Sequence, residues 1–144
     1  GKAGIPQVVS TGALDMVNFG PRESVPEEFE GRQFHVHNPQ VTLMRTTPEE
    51  NAELGEIIAE KLNAATGPTA LVLPMAGISM IDVEGEDFYD PEADAALFDA
   101  LRENLDSDVE LVEMDTDIND EAFAEMLVET LDGYMRAAGL GPET

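Results

Sequence analysis

An α/β fold, a parallel sheet with flanking helices of the flavodoxin-like or Rossmann-like three-layer kind, is predicted by three features of this 144-residue chain. Short apolar runs alternate with amphipathic helical segments, the pattern of βαβ units. The clearest run, Ala70-Leu71-Val72-Leu73, is continuously apolar, as in strands covered on both faces. The helical segments open on strong cap sequences.

The first strand is expected at Gln7 to Val9, almost at the start of the chain. From Thr11 to Thr47 charge is sparse and neither period is evident, yet Leu14, Met16, Val17, Phe19, Phe34, Val41, Leu43 and Met44 argue against disorder. Connections this long are functional when ordered. The segment is therefore expected to be an ordered functional loop, with His35-Val36-His37 as a candidate fourth strand. Thr47-Pro48-Glu49-Glu50 is a capping box with proline at the first helical position. Leu54, Ile57, Ile58, Leu62 and Ala65 form the stripe of that first helix, and Gly67-Pro68 stops it. A strand follows at Thr69 to Leu73. Asp90-Pro91-Glu92 opens the second helix, whose stripe is Leu97, Leu101 and Leu105, with Ala93, Ala96 and Ala100 allowing close approach. Val109 to Val112 reads as the third strand. The last helix starts after Asn119 or Asp120, shows Phe123, Met126, Leu127, Leu131 and Tyr134 on one face, and ends near Arg136 to Gly139. Three clear strands are fewer than the roughly four to six of an ordinary sheet. Residues 1–144 are thus expected to be a single but incomplete α/β domain, with earlier strands removed.

The chain carries 31 acidic residues against seven basic ones, a formal net charge of -24. The acids are dispersed over helix surfaces and turns, at Glu49, Glu53, Glu56, Glu60, Asp94, Asp99 and Glu103 among others, rather than gathered in a tail. Dispersed acid of this kind points to a halophile, because molar salt shortens the Debye length to about 3 Å and screens self-repulsion. No basic patch exists to neutralise phosphates, which argues against nucleic acid. No apolar run reaches the length of a membrane span and no signal peptide is visible, so a cytoplasmic protein without membrane contact is expected. The absence of cysteine excludes disulfides and thiolate metal sites.

Ligands of open parallel sheets bind outside the carboxyl ends of the strands. Those ends run into Ser10-Thr11-Gly12-Ala13-Leu14-Asp15, Pro74-Met75-Ala76-Gly77-Ile78-Ser79 and Asp115-Thr116-Asp117. The Ser10-Thr11-Gly12 backbone can cradle an anion, although Gly12 can equally serve a turn with positive φ. Gly77-Ile78-Ser79 lacks the Gly-Lys-Ser/Thr ending of a P-loop, and Ser79 lies on no nucleophile elbow. His35 and His37 share a face if extended, but two ligands do not make a metal site; hydrogen-bonded loop histidines are the preferred reading, with His37-Asn38-Pro39 as a turn. Asp82 to Asp90 reads as a flexible acidic turn without EF-hand spacing. Arg45-Thr46-Thr47, just before a capped helix, suits either an anion clamp or a structural salt bridge. The clamp reading expects Arg45→Ala to remove binding and barely change stability. The expected ligand-binding set is Ser10, Thr11, Gly12, Asp15, Asn18, His37, Asn38, Arg45, Thr46, Gly77, Ser79 and Asp82, with no metal and no assigned catalytic residue.

Pro6-Gln7-Val8-Val9-Ser10-x-Gly12-Ala13-Leu14-Asp15-Met16-Val17-Asn18-Phe19-Gly20-Pro21, the run from His37 to Glu50, Gly77-x-Ser79-x-x-Asp82 and Phe88-Tyr89-Asp90-Pro91-Glu92-Ala93-Asp94 resemble an uncharacterised-protein family. It is the family that includes the N-terminal half of the tomato mosaic virus resistance protein, often labelled ATP-binding. The resemblance covers nearly the whole chain. It implies a protein about two to three times this length with two α/β domains, this chain corresponding to the later part of the second. The family's nucleotide site is associated with the first domain, so the resemblance implies no cofactor in this chain, with ATP possible in the full-length protein. Met75 and Ala76 stand where relatives commonly show a polar residue or a second glycine.

The leading expectation is a domain of unknown activity that supplies one wall of an interdomain ligand cleft in a nucleotide-associated protein. Its partners would be the missing N-terminal part of the same protein and further copies of itself in a homo-oligomer. An enzyme acting on a small phosphorylated or carboxylated metabolite would instead show a closed pocket lined by Thr11, Asp15, Arg45 and Ser79. An assembly module would bury Met16, Phe19, Leu43 and Met44 against another chain. The charge pattern yields a direct test: the thermal unfolding midpoint is expected to rise from dilute buffer to molar potassium chloride, and a flat or falling midpoint excludes the halophile reading.

Overall fold

The computed structural model describes residues 1–140. In chain order the elements are β1 (Gln7–Ser10), β2 (Met16–Phe19), β3 (Phe34–Asn38), β4 (Val41–Arg45), α1 (Pro48–Asn63), β5 (Thr69–Pro74), α2 (Pro91–Asn104), β6 (Glu110–Met114) and α3 (Glu121–Ala137). β1, β5 and β6 form a parallel sheet with β5 in the centre, flanked by helices as in part of a Rossmann-like domain. All six residues of β5 are buried, as its unbroken apolar run requires.

The cap sequences set the helix starts. Thr47 accepts from the Glu50 N–H while the Glu50 side chain accepts from the Thr47 N–H, closing the capping box of α1. Asp90 caps α2 by accepting from Ala93 N–H, and Asp120 caps α3 by accepting from Ala122 N–H. The two crossovers step the same way across the sheet, so α1 and α2 lie side by side on one face. There Leu62, Leu97, Phe98 and Leu101 pack on Leu71 and Leu73 to make the core. The next side chains along the strands point the opposite way. On that side the Tyr134 hydroxyl of α3 bonds to Glu110, and α3 lies over β1 and β5.

The segment expected to be one long loop is a second, antiparallel sheet in the order β2-β4-β3. Met16 pairs with Arg45 from far along the chain, and Phe34 with Met44 across a hairpin, in strands of four or five residues too short to leave a clear period. The His35-Val36-His37 strand belongs to this sheet and does not extend the parallel one. β3 and β4 form a hairpin across Pro39-Gln40, where Asn38 Oδ1 accepts from Gln40 N–H at 2.8 Å and the register shifts at His37. Leu43 and Met44, which the assembly reading places against another chain, are already buried by the chain's own elements. The acidic turn is anchored as well: Phe88 is fully buried and donates its N–H to Ile81 C=O at 2.8 Å.

Gly55 sets how closely α1 approaches α2. A Cβ there would lie 2.7 Å from Ala100 Cβ and 2.9 Å from the Leu97 carbonyl oxygen. Gly55→Ala gains about 1 kcal/mol of helix propensity but overpacks the seam at a cost of about 1–3 kcal/mol. The expected outcome is a lower urea midpoint at unchanged m-value.

Candidate functional site

The segments after the three parallel strands meet at one edge, as the topology requires. Ala13 N–H donates to Ile78 C=O at 2.9 Å, Ala76 N–H to Thr116 C=O at 3.0 Å, and Ile118 N–H to Gly77 C=O at 3.0 Å. Gly77 is glycine for contact: its φ is +154°, and a Cβ would lie 2.1 Å from the Asp82 carbonyl oxygen. The positive φ of the first turn falls on Ala13, at 59°, and not on Gly12.

Behind this edge lies a buried polar network. Arg45, 3 % exposed, leaves β4 with every nitrogen of its guanidinium in contact with a protein acceptor. Nε donates to Phe88 C=O at 2.9 Å, Nη1 to Thr46 Oγ1 at 3.3 Å, and Nη2 to Asp94 Oδ1 at 2.8 Å; Nη2 also lies 3.2 Å from Asp82 Oδ1. This occupied geometry is that of a structural ion pair, not of an open anion clamp. Ser79 Oγ donates to Asp15 Oδ2 at 2.6 Å, and Asn51 Nδ2 donates to Thr46 Oγ1 at 2.8 Å. Asp15 Oδ1, Asp82 Oδ2, Asn51 Oδ1 and Thr11 Oγ1 are buried without a partner. The network is therefore richer in acceptors than in donors.

Burial shifts its acids. Burial first, and the neighbouring Asp94 second, push the Asp82 carboxyl from an ordinary 3.8 up to about 8 against the opposing charge of Arg45. Burial also raises Asp15, against the Ser79 hydrogen bond and the Arg45 charge. The network thus sets one buried cation beside two acids, Asp15 and Asp82, whose carboxyls burial pushes upward.

Of the expected residues, Asp15, Arg45, Thr46, Ser79 and Asp82 come together here. Ser10, Thr11, Gly12 and Gly77 sit beside them at the strand ends. Asn18, His37 and Asn38 are exposed on the antiparallel sheet and lie outside the network. His35 is tied instead to Asp87, with Nδ1 to Oδ2 at 2.6 Å. Asp94 and Asn51 are additions. Asp94, read above as dispersed surface acid, is buried, and its spacing from Leu97 and Leu101 already put it on the core stripe of α2. Asn51 holds the same kind of position on α1, in line with Gly55, Ala59 and Leu62.

Thr11, Asp15, Arg45 and Ser79 are packed into the network, not arranged around a pocket as the enzyme reading expected. The open space at this edge is a hollow of about 190 Å³ beside them, between the end of β5 and the start of α2. Met75, Ala76, Tyr89, Asp94, Phe98 and Arg102 line it, so Asp94 faces both network and hollow. Among the described residues no group of three or more His, Asp or Glu is arranged to hold a metal ion, and no helix is long and apolar enough to cross a membrane.

Residues 1–135 match the C-terminal domain of an uncharacterised protein family, UPF0261. A UPF0261 protein of Clostridium tetani is 57% identical over 133 residues, which are 92% of this chain and 33% of that protein. One of Rhizobium meliloti is 52% identical over 126 residues, 86% of this chain and 32% of that protein. The ToMV resistance protein Tm-1(GCR237) of Solanum lycopersicum is 47% identical over 128 residues, 88% of this chain and 17% of that protein. The chain thus spans about a third of the bacterial relatives and about a sixth of the tomato one.

Two outcomes are expected from the network. Arg45→Met leaves buried carboxylates without their cation, so stability falls by about 3–5 kcal/mol in urea denaturation; this reverses the small change expected of an exposed clamp. The folded state also holds a proton on Asp82 that the unfolded state loses above about pH 4, so stability falls as pH rises through about 8. Asp82→Asn is expected to flatten that decline in midpoints measured between about pH 5 and pH 8.5.

Proposed function

The chain belongs to the uncharacterised protein family UPF0261, as part of its C-terminal domain, and on that premise we propose that it supplies one wall of a ligand cleft in a longer protein. The observation that carries this reading is the hollow between β5 and α2. It lies outside the carboxyl end of the central parallel strand, where α/β sheets bind ligands. At about 190 Å³ it is smaller than the roughly 300–1,000 Å³ of a complete small-molecule site. A facing wall from the rest of the longer protein, in our reading its N-terminal part, completes it. Met75, Phe98 and Tyr89 offer apolar and aromatic contact, and Arg102 a cation already shared with Asp99 and Glu113. A small carboxylated or phosphorylated metabolite suits that lining.

Asp94 gives the wall a means of response. Its carboxylate, paired with Arg45, borders the hollow, so an occupant that drew on Asp94 would alter the Arg45–Asp82 pairing behind it. In this reading nucleotide association belongs to the rest of the protein, the setting is cytoplasmic, and any homo-oligomer contact lies away from the buried Leu43 and Met44.

The test is a thermal-shift screen of the longer protein against ATP, sugar phosphates and small carboxylic acids. Compounds that raise the midpoint are expected to lose their effect in Ala76→Trp, which fills the hollow, while the ligand-free midpoint stays close to that of the parent protein. The isolated 144-residue chain is expected to show no heat of ATP binding. Shifts that persist unchanged in Ala76→Trp refute the cleft wall.

A further inference from the structure

The two edges of the parallel sheet differ in character. β6, Glu-Leu-Val-Glu-Met, carries two exposed acids at the positions of Glu110 and Glu113. Charge on an edge strand blocks further pairing. β1, Gln-Val-Val-Ser, carries none, in a chain with 31 acids. Its hydrogen-bonding phase follows from one contact. Gln7 pairs with Thr69 and donates its N–H to Pro68 C=O at 3.0 Å. In a parallel ladder Gln7 and Val9 then turn their peptide groups to β5, and Val8 and Ser10 turn theirs to the open side. No strand lies on that side among the described residues.

The same flank is apolar one layer up. α2 packs on the Gly55 side of α1 and lies towards β5 and β6. Ile57 is two positions on, turned away from α2 and therefore towards the β1 flank. It is 39% exposed, and Val17 of β2 is 40% exposed. With Leu54 they line a hollow of about 290 Å³, rimmed by Glu50 and Glu53. An uncharged open strand edge and an apolar hollow on the flank of its crossover helix are what a neighbouring strand–helix unit covers in a doubly wound sheet.

We infer that this flank is an internal seam of the longer protein: a strand from outside these 144 residues pairs in parallel with β1 through Val8 and Ser10, and its helix covers Val17, Leu54 and Ile57. The bacterial relatives are about three times as long as the stretch they share with this chain, so the chain needed to supply that unit exists. A second copy fits less well. A two-fold axis at the edge would pair β1 with itself antiparallel over only four residues. The inference does not rest on the cleft reading, since the seam and the β5–α2 hollow involve different residues.

The experiment is amide-resolved hydrogen exchange on the longer protein, with size-exclusion chromatography at each concentration. Val8 and Ser10 are expected to be protected to within about tenfold of Gln7 and Val9, independently of protein concentration. Ile57→Lys is expected to reduce protection at Val8 and Ser10 by at least about tenfold, whereas Val128→Lys, on the exposed side of α3, leaves it unchanged. Because exchange is read on folded molecules, a lower yield of Ile57→Lys does not blur the result. Fast exchange at Val8 and Ser10 in the parent protein overturns the inference. So does protection that vanishes on dilution together with a dimer peak, which would assign the edge to a second copy.

Discussion

One buried guanidinium ties the antiparallel sheet to the β5–α2 side of this molecule. Arg45 ends β4 in the antiparallel sheet, yet its partners are Phe88 and Asp82 in the β5–α2 connection and Asp94 on α2. Asp15, from the β1–β2 connection, lies near enough to feel its charge. Four stretches of chain thus converge on a single buried cation. Two ionised acids beside it would leave an excess of buried negative charge, and an isolated buried charge is expensive enough that a group neutralises instead. The raised Asp82 carboxyl is how the network meets that constraint. An ion pair of this kind contributes little net stability over apolar packing, but it penalises any arrangement that breaks it.

The same network explains why the carboxyl edge of the sheet is sealed where a sequence reading looks for an open site. The segments after β1, β5 and β6 bond to one another through their backbones, and Gly77 allows the contact with Asp82. The hydroxyls and carboxylates of Ser79, Asp15 and Asp82 turn inward and bind protein groups. Open space lies to one side, where Asp94 borders both the network and the β5–α2 hollow.

How much of this was legible in the residues depended on the range of the interactions. The helix starts at Thr47 and Asp90 were readable because a cap is a contact over three positions, while the third start was readable only as Asn119 or Asp120. The central strand β5 was readable because burial on both faces leaves an unbroken apolar run, and β1 and β6 as short apolar runs alternating with the helices. β2 was not, because it is short, half-exposed and paired with β4 across a long stretch of chain, and the candidate strand at His35 to His37 gave no sign that its partner was β4 and not the parallel sheet. Asp94 shows the intermediate case: its place on the Leu97–Leu101 stripe was visible, but in a chain this acidic one more aspartate on a helix passes for solvated surface.

The sequence by itself therefore determined the α/β class, the three helices with their caps, the central strand and the meeting of the strand ends, all of which follow from local periods and from the handedness of crossovers. It also singled out Arg45, Asp15, Ser79 and Asp82, which the fold gathers into one buried network. Only the tertiary structure decided what they do. Whether a guanidinium beside a helix start faces an anion or an aspartate depends on what the rest of the chain brings within about 3 Å of it. Here that is Asp94, from an element 49 positions away along the chain, a separation that no local pattern encodes.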